Sequence, residues 1–189
     1  MSLWQREIAM TNSPNWKIDK SWTLFLDRDG VINVRFPGDY VKRVDEFEFL
    51  PDVKKAIAKF SSLFGRIVVV TNQQGIARGI YTHDDLKAIH DFMKSEVEKA
   101  GGKIDAVYYA PQRDFENSPM RKPGIGMALQ AKKDFPEIDF SKSIMVGDSE
   151  SDVKFGRAAG MKVVFLSNEE CTMATDERVA SLLEFAAKL

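Results

Sequence analysis

The chain has 189 residues, and 27 basic against 28 acidic side chains leave a formal net charge of −1. At 21.4 kDa, folding should leave about 9,100 Å² of surface out of about 31,000 Å², which supports one full core and argues against two independent domains. With 44% hydrophobic and 29% charged residues general disorder is excluded, and the balanced charge gives no reason to expect nucleic acid or an anionic membrane as a partner.

Residues 1–20 show neither helical nor strand periodicity and read as an N-terminal extension, although Trp4 and Trp16 have apolar surface to bury. Residues 21–189 then alternate between two periods. Thr23–Leu26 is a short apolar run ending at Asp27, the pattern of a buried strand. Pro51 suits the first turn of a helix whose apolar stripe is Val53, Ala56, Ile57, Phe60 and Leu63, with Gly65 to end it. Ile67–Val70 is β-branched throughout and stops at Thr71, as a strand covered on both faces does. Thr82 can cap a helix carrying Leu86, Ile89, Met93 and Val97 as far as Gly101-Gly102. A third strand is expected over Ile104–Tyr109 and an ordered loop over Ala110–Pro123. Beyond the loop come a helix over Met127–Phe135, a strand over Ser143–Val146, a helix over Asp152–Ala159 and a strand over Met161–Leu166. A closing helix over Thr175–Leu189 should turn Val179, Leu182, Leu183 and Ala186 inward. Five β-α units with short links predict an α/β, Rossmann-like three-layer fold around a parallel sheet of about five strands.

The single cysteine, Cys171, excludes an internal disulfide, and His83 and His90 as the only histidines leave too few ligands for structural zinc. No apolar run reaches the length of a membrane span, and the first twenty residues lack the apolar stretch of a signal peptide. A cytoplasmic monomer is the expectation.

Open parallel sheets bind ligands beyond the carboxyl ends of their strands. Strand one ends in Asp27-Arg28-Asp29-Gly30, strand two in Thr71-Asn72-Gln73-Gln74-Gly75, and strand four in Gly147-Asp148-Ser149-Glu150-Ser151-Asp152. Arg121-Lys122-Pro123-Gly124 lies between strands three and four. Taken singly, Asp27 and Asp29 could be turn residues, Asp148 a turn or helix cap, Thr71 an ordinary strand residue and Lys122 a solvated lysine. A calcium loop starting at Asp27 fails, because its sixth position is Ile32 and its twelfth Gly38. Together, at one edge, these residues suit phosphoryl transfer. A phosphate monoester and a carboxylate nucleophile repel, so a divalent cation must hold both, and magnesium suits a strand-one carboxylate with Asp148. Asp27 could attack phosphorus, and Asp29 could protonate the leaving oxygen and later activate water. The like-charged neighbours of Asp29 should favour its protonated form before reaction. Thr71 and Lys122 would donate to the phosphoryl oxygens, and Asp152 would orient Lys122 or a bound water.

Asp27-Arg28-Asp29-Gly30, Thr71, Lys122 and Gly147-Asp148 with Asp152 resemble the four motifs of the haloacid dehalogenase superfamily of phosphatases. The longer strings Phe25 to Asn33, Thr71 to Gly79 and Arg121-Lys122-Pro123 resemble the branch of heptose-bisphosphate and histidinol-phosphate phosphatases. The resemblance spans about residues 21–168. It implies Asp27 as nucleophile, Asp29 as acid and base, and magnesium held by Asp27, the Asp29 backbone carbonyl and Asp148. A small sugar phosphate, foremost a heptose bisphosphate, is the implied substrate, with histidinol phosphate next and a polynucleotide 3′-phosphate third. Only 42 positions separate Asp29 from Thr71 and 51 separate Thr71 from Lys122, all taken up by predicted elements, so no cap domain is expected. The loop from Val34 to Val41 should cover the leaving group with Arg35, Asp39 and Tyr40. By resemblance Asn72, Gln73 and Gln74 touch substrate, and Arg121 matches the arginine beside the motif lysine, where a guanidinium can grip phosphate bidentately. Arg78 reads equally as a phosphate contact or a solvated turn residue. Many members of the branch carry a cysteine- and histidine-rich zinc loop before Arg-Lys-Pro. Residues 109–120 hold neither residue type, so zinc is not expected and Pro111, Phe115 and Pro119 should order the loop by packing. A receiver-like signalling module would place its phosphorylated aspartate at the end of strand three, where this chain has Tyr108-Tyr109-Ala110. A fold that binds phosphate without activity is opposed by the complete set of five chemical residues.

Overall fold

The structure, a computed structural model, describes residues 16–167 and 173–189. Trp4 and Cys171 lie outside the described residues.

Six parallel strands form one sheet: β1 (Thr23–Leu26), β2 (Arg66–Asn72), β3 (Ala106–Ala110), β4 (Ser143–Gly147), β5 (Lys162–Leu166) and β6 (Glu177–Val179). Their spatial order is β3-β2-β1-β4-β5-β6. The chain walks outward from β1 to β3, returns to β4 on the other side of β1, and walks outward again. The strand order therefore reverses between β1 and β4, and the crevice at their carboxyl ends is where such sheets bind ligands. Leu26 pairs with both Val69 and Val146, so β1 and β4 end within one residue of each other, while β2 runs on to Asn72.

Because side chains alternate across a strand, each central strand feeds two cores. Leu24, Leu26, Ile67, Val69, Ile144 and Val146 face one layer, made of α1 (Val53–Leu63), α2 (His83–Lys99) and α5 (Leu182–Lys188). Phe25, Val68, Val70 and Met145 face the other, made of α3 (Gly126–Asp134) and α4 (Glu150–Ala159). This is the expected three-layer α/β fold, with one strand more. Thr82 caps α2 as its position suggested, its hydroxyl accepting from the Asp85 amide at 3.1 Å. Among the described residues, nothing inserted between β1 and α1 or between β2 and β3 forms a cap, and no helix is long and apolar enough to cross a membrane.

Two local expectations are corrected. Pro51 lies before the helix, whose N-cap is Asp52 in a left-handed conformation. The last helix begins at Leu182, because Glu177–Val179 pairs with β5 instead; Val179 is buried from a strand and Leu183 is 39% exposed. The described part of the N-terminal extension, residues 16–20, lies against the domain. Trp16 and Ile18 pack against the core, and Lys20 Nζ donates to the carbonyls of Ser61 and Phe64 at 2.8 and 3.1 Å.

Candidate active site

Asp27 follows β1 directly, and its backbone N–H donates to Val146 of β4 at 2.9 Å, which fixes the carboxylate over the crevice. Lys122 arrives from the loop after β3 and is buried. Its ammonium is 2.8 Å from Asp27 Oδ1 and 2.6 Å from Asp152 Oδ1, and it donates to the Val70 carbonyl at 2.9 Å. The backbone of Lys122 is clamped by the Asn72 side chain, which accepts from its N–H at 3.0 Å and donates to its carbonyl at 3.1 Å. Asp152, fully buried in the first turn of α4, accepts on Oδ2 from the Ser149 amide at 3.1 Å and the Ser149 hydroxyl at 2.6 Å. Both of its oxygens are thus committed, Oδ1 to Lys122 and Oδ2 to Ser149. Burial disfavours the charge on Lys122, but the carboxylates of Asp152 and Asp27 outweigh it and hold the ammonium above its ordinary value. Burial, with the charges of Asp152 and Asp148 behind it, pushes Asp27 up against the pull of Lys122. One lysine cannot balance three carboxylates, and the floor of the crevice is short of positive charge.

Asp29 departs from expectation in its electrostatics. Its carboxylate takes Arg28 Nη2 at 2.7 and 2.9 Å, Asn33 Nδ2 at 3.0 Å and Gln73 Nε2 at 2.8 Å. Burial works against ionisation, yet the Arg28 guanidinium and these hydrogen bonds overcome it and hold the carboxyl below its ordinary value. The like charges expected to keep Asp29 protonated are outmatched by an arginine that the same motif supplies.

The crevice holds about 360 Å³ and is lined by Asp27, Asp29, Thr71, Lys122 and Asp148 below, and by Arg35, Asp39, Tyr40, Asn72, Gln74, Arg78 and Arg121 above. Two predicted residues do not line it. Asp152 sits beneath Lys122, and Gln73 is 1% exposed, with its amide turned inward to Asp29 and Thr71. Phe36, Ser149 and Ser151 line the crevice unanticipated; the two serines lie within three residues of Asp148 at the end of β4, so the strand-end rule alone would have nominated them. Arg78 reaches the rim, where Nη1 donates to the Tyr40 hydroxyl at 3.0 Å. Asp39 is drawn to Lys42 at 2.7 Å. The loop over 110–123 is ordered by hydrogen bonds more than by packing. Arg113 Nη2 donates to the Ala77 carbonyl at 3.0 Å, Arg121 Nη1 to the Gln112 carbonyl at 3.3 Å, and the Gly126 amide to Pro119 at 2.8 Å. Phe115, expected to pack, is 68% exposed.

The sequence profile of the family described as polynucleotide kinase 3 phosphatase matches residues 24–187. The chain is 39% identical over 151 residues to a D-glycero-alpha-D-manno-heptose-1,7-bisphosphate 7-phosphatase of Campylobacter jejuni, covering 80% of this chain and 85% of that protein. With the enzyme of the same name from Burkholderia mallei the identity is 41% over 154 residues, covering 78% and 80%. The chain belongs to the haloacid dehalogenase-type phosphatases, in the branch of the heptose-bisphosphate phosphatases. The crystal structure of D,D-heptose 1.7-bisphosphate phosphatase from B. bronchiseptica, complexed with magnesium and phosphate, superposes with a TM-score of 0.80 at 29% identity, over 88% of this chain and 97% of that one.

The residues of this phosphatase fit such an ion. Carboxylate oxygens of Asp27, Asp148 and Asp152 lie within 4.8 Å of one another. Asp152 is occupied by its hydrogen bonds, whereas Asp148 Oδ1 is buried with no partner, an orphaned acceptor aimed into a carboxylate cluster. Hard oxygen donors of this kind, with room for water, suit magnesium. Gly30 makes the approach possible. With φ at +88°, it lies so close to Asp148 that a Cβ would come within 2.0 Å of Oδ2.

Proposed function

We propose that the protein is a magnesium-dependent phosphomonoesterase that removes the 7-phosphate of D-glycero-D-manno-heptose 1,7-bisphosphate by way of an aspartyl phosphate on Asp27. The observation that carries the reading is the floor of the crevice: Asp27, gripped by a buried lysine at 2.8 Å, shares it with the unpartnered oxygen of Asp148. Arg35, Arg78 and Arg121 on the rim supply guanidinium groups for a second phosphate.

Asp27 and Asp148, with the backbone carbonyl of Asp29, would hold magnesium, which neutralises the carboxylate floor so that a phosphate dianion can enter. Asp27 Oδ attacks phosphorus, and the bond from phosphorus to the sugar oxygen breaks. A proton from Asp29 goes to that oxygen, leaving the sugar alcohol and the phosphorylated Asp27. Water then attacks phosphorus and gives its proton to Asp29; the bond to Asp27 breaks, releasing phosphate and restoring both carboxyl groups. Thr71 donates to the phosphoryl oxygens as charge spreads over them, and Lys122, whose three hydrogens go to Asp27, Asp152 and the Val70 carbonyl, lends its positive charge beside them. Arg28 favours the ionised Asp29 that the second step needs.

Phosphate release should be measured with magnesium and with a chelator, from both anomers of the heptose bisphosphate, histidinol phosphate and a 3′-phosphorylated oligonucleotide. Magnesium-dependent preference for the heptose is expected. Preference for histidinol phosphate or the oligonucleotide would overturn the substrate assignment, and turnover that survives chelation would overturn the mechanism.

A further inference from the structure

Gln73 and Tyr81 stand outside the chemistry described above, yet they join its two halves. Gln73 Nε2 donates one hydrogen to Asp29 Oδ2 at 2.8 Å and the other to Thr71 Oγ1 at 2.9 Å. Its carbonyl end accepts from the Tyr81 hydroxyl at 2.5 Å. Both residues are buried, at 1% and 5% exposure. Tyr81 in turn meets Tyr40 of the loop above the crevice edge to face, with ring centroids 5.9 Å apart. A continuous path therefore runs from the substrate loop to the acid and base carboxyl.

An acid and base carboxyl must be held in one place while protonated and while ionised. The Arg28 guanidinium prefers the ion, whereas a neutral amide N–H donates to a carboxyl oxygen in either state. The weakness of an amide is that its oxygen and nitrogen ends exchange by rotation, and the wrong end would set an acceptor against the carboxylate. Tyr81 opposes that rotation: burial keeps its phenol protonated and donating to Oε1, while the phenol oxygen is already turned to the Gly75 backbone N–H. The ring reaches its place because residue 75 is glycine; a Cβ there would come within 2.2 Å of it.

We infer that Tyr81, acting through the Gln73 amide, is a positioning residue that sets the Asp29 carboxyl for proton transfer to the leaving oxygen. The inference rests on the phosphatase reading given above. It makes a demand that simple structural support does not. Proton transfer matters for a sugar alkoxide and hardly at all for a nitrophenolate, which departs without a proton, and kcat/KM reports only events through the first bond cleavage.

The test is kcat/KM of wild type, Tyr81→Phe, Gln73→Leu and the double variant, each on the heptose bisphosphate and on 4-nitrophenyl phosphate. Each single variant should lose about tenfold or more on the heptose, a share of the 10²–10⁴ that general acid catalysis supplies; Tyr81→Phe should stay within about twofold on the nitrophenyl ester, whereas Gln73→Leu also releases Thr71 and should lose on both. The double variant should be no worse than Gln73→Leu alone, because the two residues act in series. Equal losses of Tyr81→Phe on both substrates, or additive losses in the double variant, would overturn the inference while leaving the phosphatase reading intact. Wild-type protein that releases phosphate from neither compound would defeat that reading and the inference with it. A crystal structure of Tyr81→Phe in which Gln73 keeps its bonds to both Asp29 and Thr71 would also overturn the inference.

Discussion

The floor and the rim of the crevice are built on opposite principles. On the floor, Lys122, Asp152 and Thr71 are at most 3% exposed, and Asp27 is 8% exposed. On the rim, Arg35 is 59% exposed as it reaches Asp148 at 3.2 Å, and Phe36 is 39% exposed. Charges removed from water cannot be left unpaired, so the floor has essentially one arrangement and any misplacement is costly. Exposed arginines carry little energy in the free protein and can change without disturbing the fold. Chemistry held on a rigid floor beneath an adaptable rim lets the reaction stay constant while the choice of substrate moves.

The largest effect that would test this division is at Asp27, the proposed nucleophile. Asp27→Asn keeps the side-chain shape and a partner for Lys122, so thermal unfolding should stay close to that of wild type. Magnesium-dependent phosphate release should fall by about a thousandfold or more. Clear retained turnover in a preparation free of other phosphatases would show that the floor does not carry the chemistry. Lys122→Met should instead strike stability. It strips the cation from Asp27 and Asp152, and breaking a buried pair in this way costs roughly 3–5 kcal/mol. Arg35→Ala should cost no more than about 0.5 kcal/mol. Urea midpoints measure both, and comparable losses would erase the distinction between floor and rim.

How far the sequence announces each region follows from the same physics. Central parallel strands, covered on both faces, are continuous apolar runs such as Ile67–Val70, and the polar residue after each run marks its carboxyl end. That is why Asp27, Thr71 and Asp148 could be placed at one edge. β6 escaped because Glu177-Arg178-Val179 is a short outer strand with no apolar run, and its residues read as the start of a helix. Gln73 was misjudged and Arg28 was overlooked. In each segment the flanking pair lines the crevice, Asn72 with Gln74 and Asp27 with Asp29, and the middle residue points away. Strand alternation alone does not place Gln73, because Thr71 and Asn72 are neighbours and both line the crevice. No pattern in the sequence shows that the Arg28 guanidinium is fully buried, because its partners come from Asp29 and from His90 of α2.

That last contact yields an effect outside the crevice altogether. Arginine only donates, so His90 Nε2, 3.3 Å from Arg28 Nη1, must accept and the ring is neutral. Burial first, and then the Arg28 charge, push its pKa down to about 3, against the opposing pull of Asp29 and Asp91. A folded-state value below the unfolded one means that the unfolded chain takes up the proton as pH falls below about 6.5, so stability is lost in that direction. At pH 5 the loss from this one group is roughly 2 kcal/mol. His90→Gln, which can still accept from Arg28, should flatten the decline between pH 7.5 and 5 in urea unfolding. Equal declines in both proteins would mean that His90 is already charged in the fold.

The smallest effect sharpens the rim. Arg121 lines the crevice beside Lys122 and is held by the Gln112 carbonyl at 3.3 Å, which leaves the rest of its guanidinium facing the cavity. A second phosphate is the group it can grip through two parallel N–H bonds, a geometry lysine does not offer. Arg121→Ala should therefore cost about tenfold in kcat/KM on the bisphosphate, the equivalent of one charge-assisted contact. On a sugar monophosphate with only the reacting phosphate it should cost much less, and Arg121→Lys should recover only part of the bisphosphate loss. Equal losses on the two substrates would move Arg121 from recognition to the floor, and the rim would then have to select its substrate through Arg35 and Arg78.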